Sequence, residues 1–518
     1  MTNTIEQERT PRRWHAFFIS FVLLFGLGAV WALATPLMGV PDEPAHVIRA
    51  ASVVRGDIIP RQSSGDPYMS DVDVPEWAAA AHALTCFAFD PGIPASCQPP
   101  AEDDDAITVA RTSAGLNSPV YYAIVGLPSL VLDGPSALYA MRLVNVALTA
   151  ALLAVAFMGL SQLPRARWSY VALASAITPM ALFLAGGTNP NSIEFASAAA
   201  LFATLLAVVR TPSPGWLLWE RAAVVVVTAG LLVNTRSISL LWLAIIVVAA
   251  IALARRDVFA PLLKRPATWV TVGLAGLIAA LTLAWFIRPQ PEIPAVDVPV
   301  YPLIGGNFVL GAQIMLDRTL EFATGWIGLF GWIDTPSPSL SVLIWCTVIV
   351  GLVAAAALFG RGATRVVALL FVVAAIALPV VIQGILLADY GIIWQGRYMM
   401  AIYLCMMIAV GLALDDAPPL LSHGVRRPLI TALVVALGIG HVVSFVWVLR
   451  RYVIGGGTWT QMLLSPAWQP PLTWIGLFVL FVGITGAAVF VLLRATNDAT
   501  SRDDDQVGSG VTVASPSP

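Results

Sequence analysis

Apolar residues gather along this chain into repeated stretches of about 20, separated by short polar connections and by two long ones. The first stretch runs from Phe17 to Leu33, behind the basic flank Arg9, Arg12 and Arg13. Others cover about 139–160, 168–187, 192–209, 221–234, 238–254, 267–287, 339–359, 366–387, 399–414, 428–449 and 472–493. A helix needs about 20 apolar residues to cross a bilayer core, and backbone in lipid must pair internally, so the pattern predicts an all-α polytopic transmembrane helix bundle of about 12 spans. A β-barrel would show short alternating segments instead. Ala32-Leu33-Ala34 looks like a signal-cleavage site, but the run is long and a loop that needs an anchor follows it, so the first stretch is read as an uncleaved span.

The basic flank puts the N-terminus in the cytoplasm by the positive-inside rule. Counting from there, the cytoplasmic connections carry Arg165 and Arg167, Arg210 and Arg221, then Arg255, Arg256, Lys264 and Arg265. Later ones carry Arg361 and Arg365, Arg426 and Arg427, and Arg494. This parity requires Asn234-Thr235-Arg236-Ser237 to divide 221–254 into two short helices that meet at an outside turn. Residues 1–494 then form one transmembrane domain, with extracytoplasmic loops at 37–137 and 288–338. Residues 495–518, polar, acidic and rich in Ser and Gly, are expected to be a disordered cytoplasmic tail. The expected location is the cytoplasmic membrane, multi-pass, with both termini inside the cell.

Composition agrees: 58% of residues are hydrophobic and 11% charged, against roughly a quarter charged in soluble domains. A formal net charge of -2 offers nothing to nucleic acid. Lys264 is the only lysine, which points to a GC-rich, actinobacterial coding bias. Cys86 and Cys97 fall in the first outside loop, where an oxidising compartment favours a disulfide over two unpaired thiols.

The segment Gly39-Val40-Pro41-Asp42-Glu43-Pro44-Ala45-His46 begins just beyond the first span. Its prolines are expected to deny a regular helix start and to hold the acids at the membrane surface. Asp42 or Glu43 suits a general base acting on an acceptor hydroxyl, and with His46 the pair suits a divalent cation such as Mg or Mn; solvated loop acids are the plain alternative. Arg397, among Trp394, Gln395 and Tyr398 at the outer start of a span, suits a lipid phosphate or an interfacial anchor. Arg236 has a similar placement, whereas Arg142 reads as a snorkelling side chain. Asn189 and Asn191, in the turn Gly186-Gly187-Thr188-Asn189-Pro190-Asn191-Ser192, either cap the following helix or bind an anionic or sugar group, and Glu194 suits the helix dipole. The second outside loop alternates aromatic and polar residues, Asp297, Tyr301, Asn307, Gln313, Asp317, Arg318, Glu321, Trp326, Trp332 and Asp334, as a lid or acceptor groove would.

An acidic pair in a long first outside loop, followed by many short-looped spans, resembles the GT-C class of integral membrane glycosyltransferases. Pro41-Asp42-Glu43-Pro44-Ala45-His46, Thr188-Asn189-Pro190-Asn191 and Gln395-Gly396-Arg397-Tyr398 resemble, more narrowly, the bacterial domain-of-unknown-function 2142 family of multi-pass membrane proteins, over about 15–490. The GT-C resemblance implies a polyprenyl-phosphate sugar donor and Asp42 as catalytic base with Glu43 in support; such a donor's phosphate demands outside cations near the membrane, which Arg397 and Arg236 would supply. His46, Asn189, Asn191 and Tyr398 are the expected substrate-binding residues. The expected partners are the lipid-linked donor, membrane lipid and an envelope acceptor that is a glycan, a lipid or a protein. The alternative is a transporter or lipid flippase of envelope precursors, which predicts ionisable residues at mid-bilayer depth and internal repeats. The acids here cluster outside the spans, which favours the transferase.

Overall fold

The computed structural model describes residues 2–63, 69–288, 303–418 and 421–509. Asp297 and Tyr301 of the second loop, and residues 510–518 of the tail, lie outside them. Ten helices are long and apolar enough to cross a membrane, or up to twelve when two bent pairs are each taken as a span. One bent pair, Arg167–Ala176 with Pro179–Ala185, turns by 63° just before a proline that cannot continue the first helix. The other, Ser239–Ala252 with Arg256–Leu262, turns by 119°. The helices Gly215–Val233 and Ser239–Ala252 are separate, with a polar turn between them. The protein is thus an all-α, multi-pass membrane helix bundle.

Two helices occupy its centre: 89% of the apolar window in Pro190–Arg210 and 94% of that in Gly396–Asp415 are buried, against 6% in Pro266–Phe286 at the periphery. Small residues allow the close approach. A Cβ on Gly159 would lie 2.9 Å from the Ala203 backbone, and one on Gly411 would lie 2.5 Å from Ser169 Cα. Where lipid supplies no hydrophobic drive between helices, such contact is what holds them together.

The bundle has two unlike ends. At one, Arg13 pairs with Glu220 at 2.8 Å, Arg210 with Asp416 at 2.7 Å, and Arg221 donates to Gln162. At the other lie both long loops and the polar turn, whose Asn234 accepts a hydrogen bond from Ser118. The first loop carries a three-stranded antiparallel sheet in sequence order, β1 Arg61–Gln62, β2 Ser70–Pro75 and β3 Ile107–Thr112. It also carries the helix Glu43–Val54, which starts where Pro41 and Pro44 were expected to prevent a regular start. Pro44 sits in the first turn, where a missing N–H costs nothing.

Cys86 and Cys97 form a disulfide. Arg451, from the helix His423–Ile454, donates to the backbone carbonyls of Phe87, Asp90 and Ile93 around it and to Asp334 of the second loop at 3.0 Å. Trp332 then donates to the Met38 carbonyl, and Tyr452 to that of Gly39. The two loops therefore brace the chain immediately before Asp42. Replacing both cysteines with serine is expected to lower stability by about 2–3 kcal/mol, the closure entropy of a short loop. Unfolding of the oxidised protein and the double variant in one detergent measures it; equal midpoints would remove the disulfide from the brace.

Candidate functional site

The site grows from a single backbone irregularity. Asp42 sits at the helix N-cap with φ 62°, in the left-handed region that Asp and Asn tolerate better than most residues. Its side chain makes no capping bond, although an N-cap aspartate ordinarily spends itself on the first free N–H groups. The carboxylate is thereby turned out of the helix and pairs with the guanidinium Nη2 of Arg397, 355 residues away. Asp42's side chain is 44% exposed and Arg397's 3%. The two other donor nitrogens of Arg397, Nε and Nη1, are buried with no hydrogen-bond partner among the described residues. Arg236 lies 4.3 Å from the Tyr398 ring centre and Arg397 lies 5.5 Å from it, so two cations share one aromatic ring.

Burial pushes the Asp42 carboxyl upward, but Arg397 first and then its other neighbours, Arg236 among them, outweigh this and hold it below the usual carboxylate range. His46, one turn further along the same helix, is driven by burial down to about 3 and is neutral at physiological pH. Its Nδ1 is 2.9 Å from the Tyr122 hydroxyl.

Adjacent Glu43 points the other way. Its two oxygens accept from Arg142 Nε and Nη2, both at 2.7 Å, and from the Val40 and Thr188 amides. Arg142 also donates to the carbonyls of Ala32, Thr35 and Pro36, so every N–H it owns is used and its side chain is 1% exposed. This corrects the reading of Arg142 as a snorkelling side chain: it is a buried clamp across the junction of the first span and the first loop. Asn189 donates to the Pro41 carbonyl and accepts from the Asn191 amide, so the 186–192 turn packs against the acidic segment while capping its own helix. The Asn191 side-chain amide is buried with neither end paired among the described residues. Glu194 accepts from Ser239 at 2.6 Å and from Trp242 at 3.2 Å.

Asp42, Arg397 and Tyr398 open into a cavity of about 820 Å³ bounded also by Pro41, Ser113, Arg318, Glu321, Phe322, Trp394 and Gln395. Arg318 and Glu321 pair with each other on the second-loop side of this cavity. Phe322 and Trp394 are shared with an apolar groove of about 340 Å³ lined by Val350, Val353, Val372, Ile376 and Pro379, between the helices Ser339–Phe359 and Gly362–Tyr390. Among the described residues no three His, Cys, Asp or Glu side chains gather as a cation shell.

A family model for predicted membrane proteins, DUF2142, matches residues 25–406. The chain belongs to the DUF2142 family. No curated protein matches it. The DUF2142 match takes in Asp42, the 186–192 turn, Arg236 and Arg397, and ends before Arg451. Two parts of this candidate site carry no motif. Arg142 is signalled only by a lone charge inside an apolar stretch, which in a membrane protein demands a partner. Tyr122 and Asn117, behind His46, have no sequence signal that separates them from other polar loop residues.

Proposed function

We propose that this protein transfers a sugar from a polyprenyl-phosphate carrier to a cell-envelope acceptor at the extracytoplasmic face of the cytoplasmic membrane. The observation that carries this reading is the shared cavity, in which a carboxylate pairs with a buried guanidinium whose two other donors have no partner among the described residues. The adjoining apolar groove shares Phe322 and Trp394 with the cavity, which suits an amphiphile with a phosphate at the junction.

In this mechanism the donor phosphate takes Arg397 from Asp42, exchanging one charge-assisted pair for another of better fork geometry. Arg236, which makes no ion pair within 4 Å among the described residues, adds a second positive charge. Asp42 is then free to accept the proton of the acceptor hydroxyl as its oxygen attacks the anomeric carbon. The bond from that carbon to the carrier phosphate breaks, its electron pair stays on the phosphate oxygen, and the two arginines meet the growing negative charge.

Arg397→Ala is expected to raise the donor KM by about 30-fold or more, the scale of losing one partner of a buried charged contact. Arg397→Lys should recover only part, because a point charge does not reproduce the fork. Transfer by purified protein in detergent, with polyprenyl-phosphate sugars varied in concentration, reads both. An unchanged KM in Arg397→Ala would remove the phosphate from this site.

A further inference from the structure

Behind Asp42 a short relay ends on His46. Asn117 Nδ2 donates to the Tyr122 hydroxyl at 2.8 Å, and that hydroxyl lies 2.9 Å from His46 Nδ1. Tyr122 is 1% exposed, and among the described residues its hydroxyl has no further partner. If His46 donated from Nδ1, the phenol oxygen would receive two donors and its own proton would be buried without an acceptor, a loss of about 1–3 kcal/mol that folded proteins avoid. The arrangement that gives both the Asn117 and the Tyr122 protons an acceptor sends the Tyr122 proton to Nδ1 and puts the imidazole proton on Nε2. Nε2 itself makes no hydrogen bond among the described residues. His46 stands one helical turn from Asp42, its amide donating to the Asp42 carbonyl at 3.2 Å. The charged and titratable groups around the ring are Asp42 on its own helix, Arg236 and Arg397 from the bundle, and Tyr122 from the helix Pro119–Val125.

We infer that His46, fixed as its Nε2–H form by Tyr122 and Asn117, is a further hydrogen-bond donor to the ligand phosphate that Arg397 binds, and that Tyr122 and Asn117 are positioning residues for it. The inference rests on the phosphate reading of the Asp42 and Arg397 cavity. A histidine arranged in this way has no lone pair left for a metal: Nδ1 already accepts a proton and Nε2 bears one. It supplies a neutral N–H beside a guanidinium, which binds an oxyanion without adding to the repulsion between Arg236 and Arg397.

The full-length protein in nanodiscs, titrated with farnesyl methyl phosphate, tests this without any sugar transfer. This probe is a phosphodiester with one negative charge. His46→Ala and Tyr122→Phe should each weaken binding by about tenfold or more, the scale of a hydrogen bond to a charged group. His46→Gln, whose side-chain N–H reaches the position of Nε2, should stay within a few-fold of wild type. Nitrogen-15 spectra of histidine-labelled protein, assigned by the loss of one signal in His46→Gln, should report a neutral ring protonated at Nε2. A ring protonated at Nδ1, or His46→Ala binding as tightly as wild type, would overturn the inference even where sugar transfer is observed. Absence of transfer with the tautomer and the His46→Gln rescue intact would instead fall on the proposed reaction.

Discussion

Asp42→Asn is expected to lower kcat for sugar transfer by about 10²–10⁴-fold, the range of a general base removed from its reaction, with donor KM unchanged or reduced. The asymmetry follows from the resting ion pair. Asparagine keeps the shape of the side chain and the left-handed turn, which Asn tolerates as Asp does. It cannot take a proton from the acceptor, and it no longer competes with the donor phosphate for Arg397. A structural role for Asp42 would move the two constants together or move stability instead. Steady-state kinetics with varied donor, alongside a melting curve for each protein, separates the cases; a fall in donor affinity with kcat intact would exclude the base assignment.

The largest stability effect is expected at Glu43 and Arg142. Removing either partner of a buried ion pair strands the other charge, at a cost of about 3–5 kcal/mol. Both side chains are 1% exposed, and Arg142 also ties the carbonyls of Ala32, Thr35 and Pro36 at the end of the first span. Arg142→Ala should therefore leave Glu43 uncompensated and loosen the chain that leads to Asp42. Glu43→Ala should cost less than Arg142→Ala, because the three carbonyls keep their donor. The double variant Glu43→Leu with Arg142→Met should regain part of the loss, since it buries no charge. Denaturant or thermal unfolding in a fixed detergent orders the three. Single variants within about 1 kcal/mol of wild type would mean that the pair is not the clamp that its geometry indicates.

The spans were legible because hydropathy in a bilayer is a local property: each stretch of about 20 apolar residues declares itself without knowing its neighbours. The division at Asn234-Thr235-Arg236-Ser237 was legible for the same reason, through the charge parity it preserves. The bend at Ile177 and Thr178 was not read from the run 168–187, although Pro179 carries the signal, because Pro is common enough in membrane helices to pass without a break. Within the acidic motif, the residues alone left Asp42 and Glu43 interchangeable as base, and it was the GT-C resemblance that put Asp42 first with Glu43 in support. Their separation depends on one left-handed residue, which sends neighbouring carboxylates to opposite sides: Asp42 to Arg397 and Glu43 to Arg142. Arg142 was misread because nothing local reveals a partner 99 residues away. Arg397 stood out by its aromatic surroundings, but the acid it meets is set by the packing of the central helices.

In the proposed reaction Asp42 and Arg397 handle the head of a phosphate-linked lipid sugar between them. A structure of the protein in nanodiscs, determined with a polyprenyl-phosphate sugar at saturating concentration, tests it most directly. The phosphate is expected on Arg397 Nε and Nη1, the Asp42 carboxylate released toward the anomeric carbon, and the prenyl chain passing Phe322 and Trp394 into the apolar groove. Density for the lipid elsewhere in the bundle, with Asp42 still paired to Arg397, would contradict it.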